Sequence, residues 1–214
     1  MASEAATERA LRKHASAESV ERGRVRRAQI VEAATQLFSQ TGYRGTGLAG
    51  IAAEVGVTQA GLLHHFGSKE RLLQAVVQHR SEQDNPLIER IIGDGGIGMF
   101  DRLELLAEHN VERPGLSQLF TVLVAENLMA DDPVHEFFVD RYRALREAIC
   151  AAMVSGQQRG EIRRDVDLDA VSRRIVAALD GLQIQWLLDP ERVDLVAEYR
   201  ALGVALRREL EAAT

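Results

Sequence analysis

The chain has 214 residues, of which 46% are hydrophobic and 27% charged, and its net charge is −6 at pH 7. These values are ordinary for a globular protein with one large or two small domains. No stretch reaches the roughly 18 uninterrupted apolar residues of a membrane span, and the N-terminus lacks the apolar run of a signal peptide. We therefore expect a cytoplasmic protein with no membrane partner.

Residue usage indicates an all-α fold. Only 5% of residues are aromatic, Ala, Leu and Val dominate the apolar set, and Gly and Pro fall at the ends of segments. The single cysteine, Cys150, excludes an intramolecular disulfide and a multi-cysteine metal site. Its place in an Ala-rich run favours a small buried residue over a nucleophile.

Charge is distributed unevenly along the chain. Residues 1–80 hold 11 Lys and Arg against 7 Asp and Glu, whereas residues 81–214 hold 15 against 25. The first part is therefore basic and the second acidic, although the whole chain is acidic. This asymmetry favours a DNA-binding head on a body that avoids nonspecific contact with phosphate.

In chain order, residues 1–23 are rich in Ala, Glu, Ser and Arg, which predicts a flexible arm that is helical in part. Arginines including Arg24 and Arg27 follow, just before an amphipathic helix whose buried stripe ends at Phe38. Positive charge at a helix start opposes the helix dipole. Contact with a backbone phosphate would offset that cost, and a solvated basic patch is the alternative.

Residues 47–66 predict two short helices joined at Gly56. The first helix carries an apolar stripe from Leu48 to Val55, and Thr58 can cap the second, which points Leu62 inward. A corner of this kind is a helix-turn-helix, whose second helix fits the DNA major groove. The outward face of that second helix has no acidic residue and consists of Gln59, Ala60, Gly61, Leu63 and His64. The alternative is a purely structural helical turn.

The segment from about Arg24 to Val76 resembles the DNA-binding domain of the Tet repressor family of bacterial transcription factors. Two positions depart from the family pattern: Ala60-Gly61 stands where Gly then Thr or Ser is usual, and Leu63 stands where tyrosine is favoured. The matching residues are Phe38, Thr41-Gly42-Tyr43, Thr46, Ile51-Ala52, Val55-Gly56-Val57-Thr58, Leu62, His65-Phe66, Ser68-Lys69-Glu70 and Leu72-Leu73.

The resemblance implies a helix-turn-helix domain over residues 24–80 and a larger helical domain over 81–214, with about nine helices in total. It also implies that the arginines meet phosphate, and that double-stranded operator DNA is a partner. Thr46 and Ser68 are expected to cap the second and fourth helices. The residues expected to face DNA are Arg24, Arg27, Thr46, Thr58, Gln59, Ala60, Gly61, Leu63, His64 and Lys69.

The fourth helix is expected to end near Asn85-Pro86, because proline disfavours continuation of a helix. The glycine-rich run 93–98 is predicted to be a linker, and five helices are predicted beyond it, at about 99–112, 116–130, 134–157, 167–188 and 191–212.

In this second domain the resemblance implies a pocket for a small-molecule effector. Polar residues that continue apolar stripes, together with aromatic walls, give the candidates Asn110, Phe120, Glu126, Asn127, Phe138, Tyr142 and Trp186. The alternative is that the polar ones lie near helix ends and face water.

The last two predicted helices carry broad apolar stripes, which need two partners and so predict a homodimer interface. The residues assigned to it are Leu179, Leu182, Leu195, Tyr199, Leu202, Leu206 and Leu210. Gly181 and Gly203 inside these helices indicate either close helix approach or simple tolerance of glycine.

No arrangement of residues predicts an enzyme, a metal site or a cofactor. His64-His65 lacks the four-residue spacing of a helical metal pair, and no nucleophile accompanies Glu126 and His135. Together with the family resemblance, the sequence predicts a homodimeric repressor that binds a palindromic operator and is released by a small molecule. The alternative is a helical small-molecule-binding or scaffold protein without sequence-specific DNA binding.

Overall fold

A computed structural model describes the backbone of residues 2–212, and the side chains of residue 18 and of residues 20–212. Within that range the chain forms nine α-helices and one 3-10 helix, which confirms the all-α class. Its only β pairing there is an isolated bridge between Ile162 and Glu211. The helices are α1 Ala2–Gly45, α2 Leu48–Glu54, α3 Gln59–Phe66, α4 Lys69–Ile92, the 3-10 helix Ile97–Arg102, α5 Glu104–Glu112, α6 Pro114–Glu126, α7 His135–Gln158, α8 Leu168–Leu188 and α9 Leu195–Leu210.

The chain divides into two compact units, residues 1–76 and 77–214. The division lies inside α4, four residues before the boundary expected between residues 80 and 81. Helix α4 therefore belongs to both units, with its first eight residues in the first.

Helix α1 includes the segment that was expected to be an arm. The mobility of residues 1–23 stays a prediction, and the side chains of residues 1–17 and 19 lie outside the described part. The helical path of α1 is interrupted at Gly42, whose φ of 72° and ψ of 169° are not helical. Glycine adopts this backbone without strain, so the Thr41-Gly42-Tyr43 motif turns the chain toward α2.

The first unit closes around one apolar cluster. Ile30, Ala34 and Phe38 on α1 are fully buried, as are Ile51 on α2 and Leu62 on α3. Gly56 has a φ of 66° between α2 and α3, which is the left-handed conformation predicted for the corner. The amphipathic stripes thus pack as the sequence indicates.

Helix α4 continues to Ile92 and does not end at Asn85-Pro86, so that prediction was wrong. Pro86 is exposed, and water can hydrate the carbonyl group that loses its helical hydrogen bond. Beyond the proline, Ile91 is 6% exposed and packs in the core of the second unit, with Leu87 and Ile92 against it. Burial of these side chains outweighs the local preference of proline to end a helix.

The five helices predicted after the glycine-rich run are present as α5 to α9, with the 3-10 helix before them. Gly203 on α9 explains one feature of their packing. A Cβ atom there would lie closer than 3.0 Å to the carbonyl oxygen of Phe100. Close approach, one of the two explanations offered by the sequence, is therefore correct for Gly203. A Cβ atom added at Gly181 would meet no atom of the described residues within 4 Å.

Candidate nucleic-acid interface and ligand cavity

Helix α3 presents a short exposed surface next to its N-terminus. Thr58 is its N-cap, and the Thr58 hydroxyl accepts a hydrogen bond of 3.0 Å from the Gly61 N–H. Gln59, Ala60 and His64 are exposed, and Leu62 and Phe66 anchor the opposite face in the core. Three of the five residues predicted on the outward face of α3 are therefore exposed. Gly61 and Leu63 are half-buried.

The arginines of α1 are held by the rest of the first unit to different degrees. The Arg27 guanidinium lies 4.2 Å from the centre of the Phe66 ring, and Arg26 donates a 3.0 Å hydrogen bond to the Val55 carbonyl. These contacts direct two cations toward the α2–α3 corner. Arg24 is instead engaged with Glu21 on its own helix, where two nitrogens lie 3.0 Å from the carboxylate.

Two residues assigned to DNA have internal roles. Thr46 is 6% exposed, and its hydroxyl donates to the Gly42 carbonyl at 2.7 Å. It is not a helix cap, because Gly47 is the N-cap of α2 and caps it without a side-chain hydrogen bond. Its assignment as a cap and as a side-chain contact to DNA was therefore wrong. A threonine before a helix signals a cap only when its hydroxyl is free to turn toward the helix.

Lys69 also makes contacts within the first unit. Its ammonium donates a 2.6 Å hydrogen bond to the Tyr43 carbonyl and lies 4.3 Å from the Tyr43 ring centre. Ser68 caps α4 as predicted, because its hydroxyl accepts from the Arg71 N–H at 3.2 Å. Since an ammonium has three donors, Lys69 can still reach a phosphate while it fixes Tyr43.

The second unit contains a partly open cavity of about 230 Å³ between helices α4 to α9. Four of the predicted ligand residues line it: Asn110, Phe120, Phe138 and Tyr142. Phe120 and Phe138 meet edge to face with ring centres 5.9 Å apart. A larger and more open cavity of about 540 Å³ shares Phe138 and Tyr142 with the first, so the two adjoin.

Neutral polar side chains form a chain along one wall of the smaller cavity. Asn110 donates to Gln183 at 2.8 Å, and Gln183 donates to the Thr121 hydroxyl at 3.0 Å. On another wall, the Tyr142 hydroxyl donates to Asp180 at 2.7 Å. Burial raises the pKa of Asp180 above its ordinary value, and it raises the pKa of Tyr142 as well.

A charged cluster closes the cavity on the side of α4. Arg80 lies 3.1 Å from Asp84 on the same helix, and Arg141 of α7 lies 3.5 Å from the same carboxylate oxygen. His109 approaches the other oxygen of Asp84 at 3.3 Å. The sequence-based predictions missed Arg80, Asp84, Arg141 and Asp180. The signal was present on α4, where Arg80 and Asp84 continue the apolar stripe of Val76 at four-residue intervals.

The other ligand candidates have different places. Asn127 lines the larger cavity, but its side chain also donates to the Leu123 carbonyl at 2.8 Å at the end of α6. Glu126 and Trp186 line neither of these two cavities as the described residues form them. Trp186 is 7% exposed and belongs to the core cluster, so its place as a pocket wall stays a prediction. An aromatic residue in a stripe is core material unless a void lies beside it.

The residues assigned to the dimer interface need correction as well. Five of the seven are buried within the chain itself, with exposed fractions of 9% or less: Leu179, Leu195, Tyr199, Leu206 and Leu210. Leu182 and Leu202 are half-buried and pack against that core. These stripes therefore cover the unit's own interior, and they do not leave the apolar patch that was expected on a monomer.

A different stripe on α8 and α9 is exposed. Ile184, Leu188 and Val204 have exposed fractions of 43%, 80% and 44%. On α8 the stripe includes Ala177 and Gly181, and on α9 it includes Ala197 and Ala201, at the same spacing of four and then three residues. We call these seven residues the α8–α9 face. Its small residues gave too weak an apolar signal to be chosen over the leucine stripes.

No described helix combines the length and apolar composition that crossing a membrane requires. Among the described residues there is also no cluster of three or more His, Cys, Asp or Glu side chains suited to a metal ion.

Comparison with known proteins divides the chain in the same way as its geometry. Residues 30–76 match the model of bacterial regulatory proteins of the tetR family. Residues 101–211 match the C-terminal domain of BetI-type transcriptional repressors.

Individual proteins match along most of the chain. The transcriptional regulator TtgR of Pseudomonas putida is 27% identical over 178 residues, which cover 80% of this chain and 85% of TtgR. A TetR regulator from Chloroflexus aurantiacus has a similar fold, with a TM-score of 0.77 at 24% identity over 90% of this chain and 100% of that one. A regulator from Saccharomonospora viridis, solved with choline, gives a TM-score of 0.74 at 22% identity over 87% and 98% of the two chains.

Proposed function

The chain belongs to the TetR family of transcriptional regulators, and from this premise we propose that it is a homodimeric repressor released from a palindromic operator by a small molecule. That it is a DNA-binding regulator follows from the family. The dimer, the residues at each site and the identity of the effector are the proposal's own content. We further propose that it acts in the cytoplasm, where its DNA partner is, and that it has no enzymatic activity.

The observation that carries the DNA-binding part is the exposed, acid-free face of α3 next to a fixed N-cap. Gln59 at the start of this face can pair bidentately with adenine, and His64 lies further along the same helix. Arg27, held over Phe66, supplies positive charge near the same corner. Phosphate contacts would set the position of the domain and Gln59 would contribute to the choice of sequence.

The cavity of the second unit supports release by a ligand. Helix α4 lines it through Arg80 and Asp84, and the same helix begins in the DNA-binding unit with Lys69. A ligand that prefers one position of α4 would shift the population of DNA-binding conformations, because an effector acts through its difference in affinity for two states.

The α8–α9 face supports the dimer. Leu188 alone exposes 80% of its surface, and it lies in line with Ile184 on the same helix. Alanine and glycine beside them would let two copies of the helix pair approach closely in a twofold arrangement. Two copies would also place two α3 helices on inverted half-sites, as a palindromic operator requires.

The decisive experiment is a mobility shift with DNA that flanks the protein's own gene, in the presence of excess unrelated DNA. The proposal predicts a discrete complex that weakens steeply as salt rises. If the chain is instead a helical small-molecule-binding or scaffold protein without sequence-specific DNA binding, no such complex should form. Gln59→Ala is the matched variant, because it removes one exposed amide and leaves the Thr58 cap intact.

A further inference from the structure

The charged groups on the α4 side of the smaller cavity do not balance. Two guanidinium groups, Arg80 and Arg141, share one carboxylate, that of Asp84. The other oxygen of Asp84 lies 3.3 Å from His109 Nε2, but the two atoms do not form a hydrogen bond. No ion pair joins Asp180 to either arginine among the residues that the structure describes. The cavity therefore has an excess of positive charge at this end.

Arg80 has the least complete hydrogen bonding of the residues in this charged cluster. Its side chain is 6% exposed, and its Nη1 atom is buried without a hydrogen-bond partner within the described part of the chain. Burial also lowers the pKa of Arg80 from its usual value, because its surroundings disfavour the charged form. A buried N–H of a charged group without an acceptor is costly. Asp84 Oδ1 in the same cluster is also buried without a hydrogen bond among the described residues, so the cluster is not satisfied by its own members.

The second carboxylate of the cavity already has a partner. Asp180 accepts a 2.7 Å hydrogen bond from Tyr142. Burial raises the pKa of Asp180, whereas the hydrogen bond from Tyr142 and the charge of Arg141 act in the opposite direction. Both arginines pair with the same oxygen of Asp84. A cation would therefore meet two guanidinium groups at this end of the cavity.

Apolar and aromatic side chains line the cavity beside the polar wall described above. The guanidinium carbons of Arg80 and Arg141 lie 5.9 and 5.0 Å from the centre of the Phe120 ring. Phe138 packs edge to face on Phe120, and Leu145 and Val176 are among the apolar lining residues. The volume of about 230 Å³ lies below the roughly 300 to 1,000 Å³ of most ligand pockets. An occupant of this size has a short apolar body.

We propose that the effector is a small amphipathic carboxylic acid, bound as its anion. Its carboxylate lies between Arg80 and Arg141 and accepts from the unpartnered Nη1 of Arg80, while its apolar body lies against Phe120 and Phe138. This inference rests on the proposed function, because it names the chemical class of the effector for that cavity. Fork-shaped guanidinium groups suit a carboxylate because they can donate two parallel hydrogen bonds.

The test is isothermal titration of the full-length protein with matched probes: benzoate, phenylacetate and hexanoate as acids, benzamide as the neutral analogue of benzoate, and choline as a cation. At least one acid should bind, and benzoate should bind at least tenfold more tightly than benzamide, a difference of about 1.4 kcal/mol. Failure of all three acids to bind overturns the proposal. Equal binding of benzamide and benzoate, or tighter binding of choline than of any acid, also overturns it.

Variants of the arginines on α7 test where the carboxylate of the acid binds. Arg141→Gln should weaken binding of the best acid at least tenfold and change benzamide binding less, and Arg141→Lys, which keeps the charge without the fork, should lie between. Arg143→Gln is the matched control, since Arg143 is exposed on the same helix and paired with Asp140 at 2.7 Å. A loss of affinity in the control equal to that in Arg141→Gln contradicts the assigned site. Arg80→Gln is less suitable because its side chain is buried and the variant could fail to fold.

Two measurements distinguish failure of the effector inference from failure of the repressor proposal. Titration is carried out without DNA, and operator binding is measured by mobility shift on the same preparation. If the protein shifts its operator but binds none of the acids, only the effector inference is wrong. If it binds an acid but shifts no DNA, the repressor proposal is wrong and the chemistry of the cavity stands.

Discussion

Gly203→Ala should destabilise the second unit, because the added methyl group meets backbone and not a flexible side chain. Its Cβ would lie closer than 3.0 Å to the Phe100 carbonyl oxygen and 3.2 Å from the carbonyl carbon. Helix α9 cannot easily retreat, since Arg200 pairs with Glu104 at 2.5 Å and Arg207 pairs with Asp101. Both pairs join α9 to the stretch of chain around Phe100.

The magnitude follows from two opposing effects. Overpacking of a filled interior costs about 3 kcal/mol at the upper end of its usual range. Alanine in place of glycine inside a helix regains about 1 kcal/mol. A net loss of about 2 kcal/mol corresponds to a Tm lower by about 4 to 8 °C in a chain of this length.

Thermal unfolding followed by circular dichroism at 222 nm, at one fixed protein concentration, measures this change. Gly50→Ala is the matched control, because Gly50 lies in helix α2 and a Cβ added there would meet no atom within 4 Å. The control should not lower the Tm. A Gly203→Ala protein that melts at or above the wild-type temperature would refute the argument from close approach.

Three further predictions concern the dimer, the base contact and the helix cap. Val204→Glu on the exposed α8–α9 face should shift sedimentation toward monomer with the helical content unchanged. Leu206→Glu, at a buried position, should instead unfold the second unit, because it leaves an unpaired charge in the core. If Leu206→Glu dissociates without unfolding, the assignment of Leu206 to the core is wrong. Gln59→Ala should relax base preference at one position per half-site by roughly 1 to 3 kcal/mol, as measured by competition with single-base operator variants, and unchanged selectivity would reduce Gln59 to a backbone contact. Thr58→Ala should lower the stability of the first unit by about 1 kcal/mol through loss of the cap, and an unchanged free energy of unfolding would show that the hydroxyl contributes nothing.

Features that depend on neighbours in the sequence were predicted well. The turn at Gly56, the cap at Thr58 and the outward face of α3 all follow from local periodicity and backbone preference. The same holds for α5 to α9, whose apolar stripes are long enough to define helices. Phe120 and Tyr142, which line the smaller cavity, were chosen as candidates because they lie on such stripes.

Features that depend on distant contacts were predicted poorly. Pro86 lies inside α4 because residues after it reach the core, which the local signal does not contain. Thr46 turns its hydroxyl to the Gly42 carbonyl and not to a helix start. Leu206 and Leu210 are apolar enough for an interface or a core, and only the packing of the whole unit shows that they belong to the core.

Charged residues of the cavity illustrate the same limit. Arg80 and Asp84 look like an ordinary helical ion pair in the sequence, and such pairs are usually exposed. Their burial results from α5, α6 and α7 packing around α4, and Arg141 comes from α7, far along the chain from Arg80. The sequence of α4 places Arg80 and Asp84 in line with its apolar stripe, but it does not show which residues of other helices join them.

A nuclease footprint on DNA that flanks the protein's own gene tests the central claim most directly. Wild-type protein should protect a region whose sequence is an inverted repeat, with contacts related by a twofold axis between its halves. The Val204→Glu variant should lose this protection at concentrations where the wild type gives it. Absence of protection, or protection of a single site without twofold symmetry, would contradict the account of a dimeric repressor.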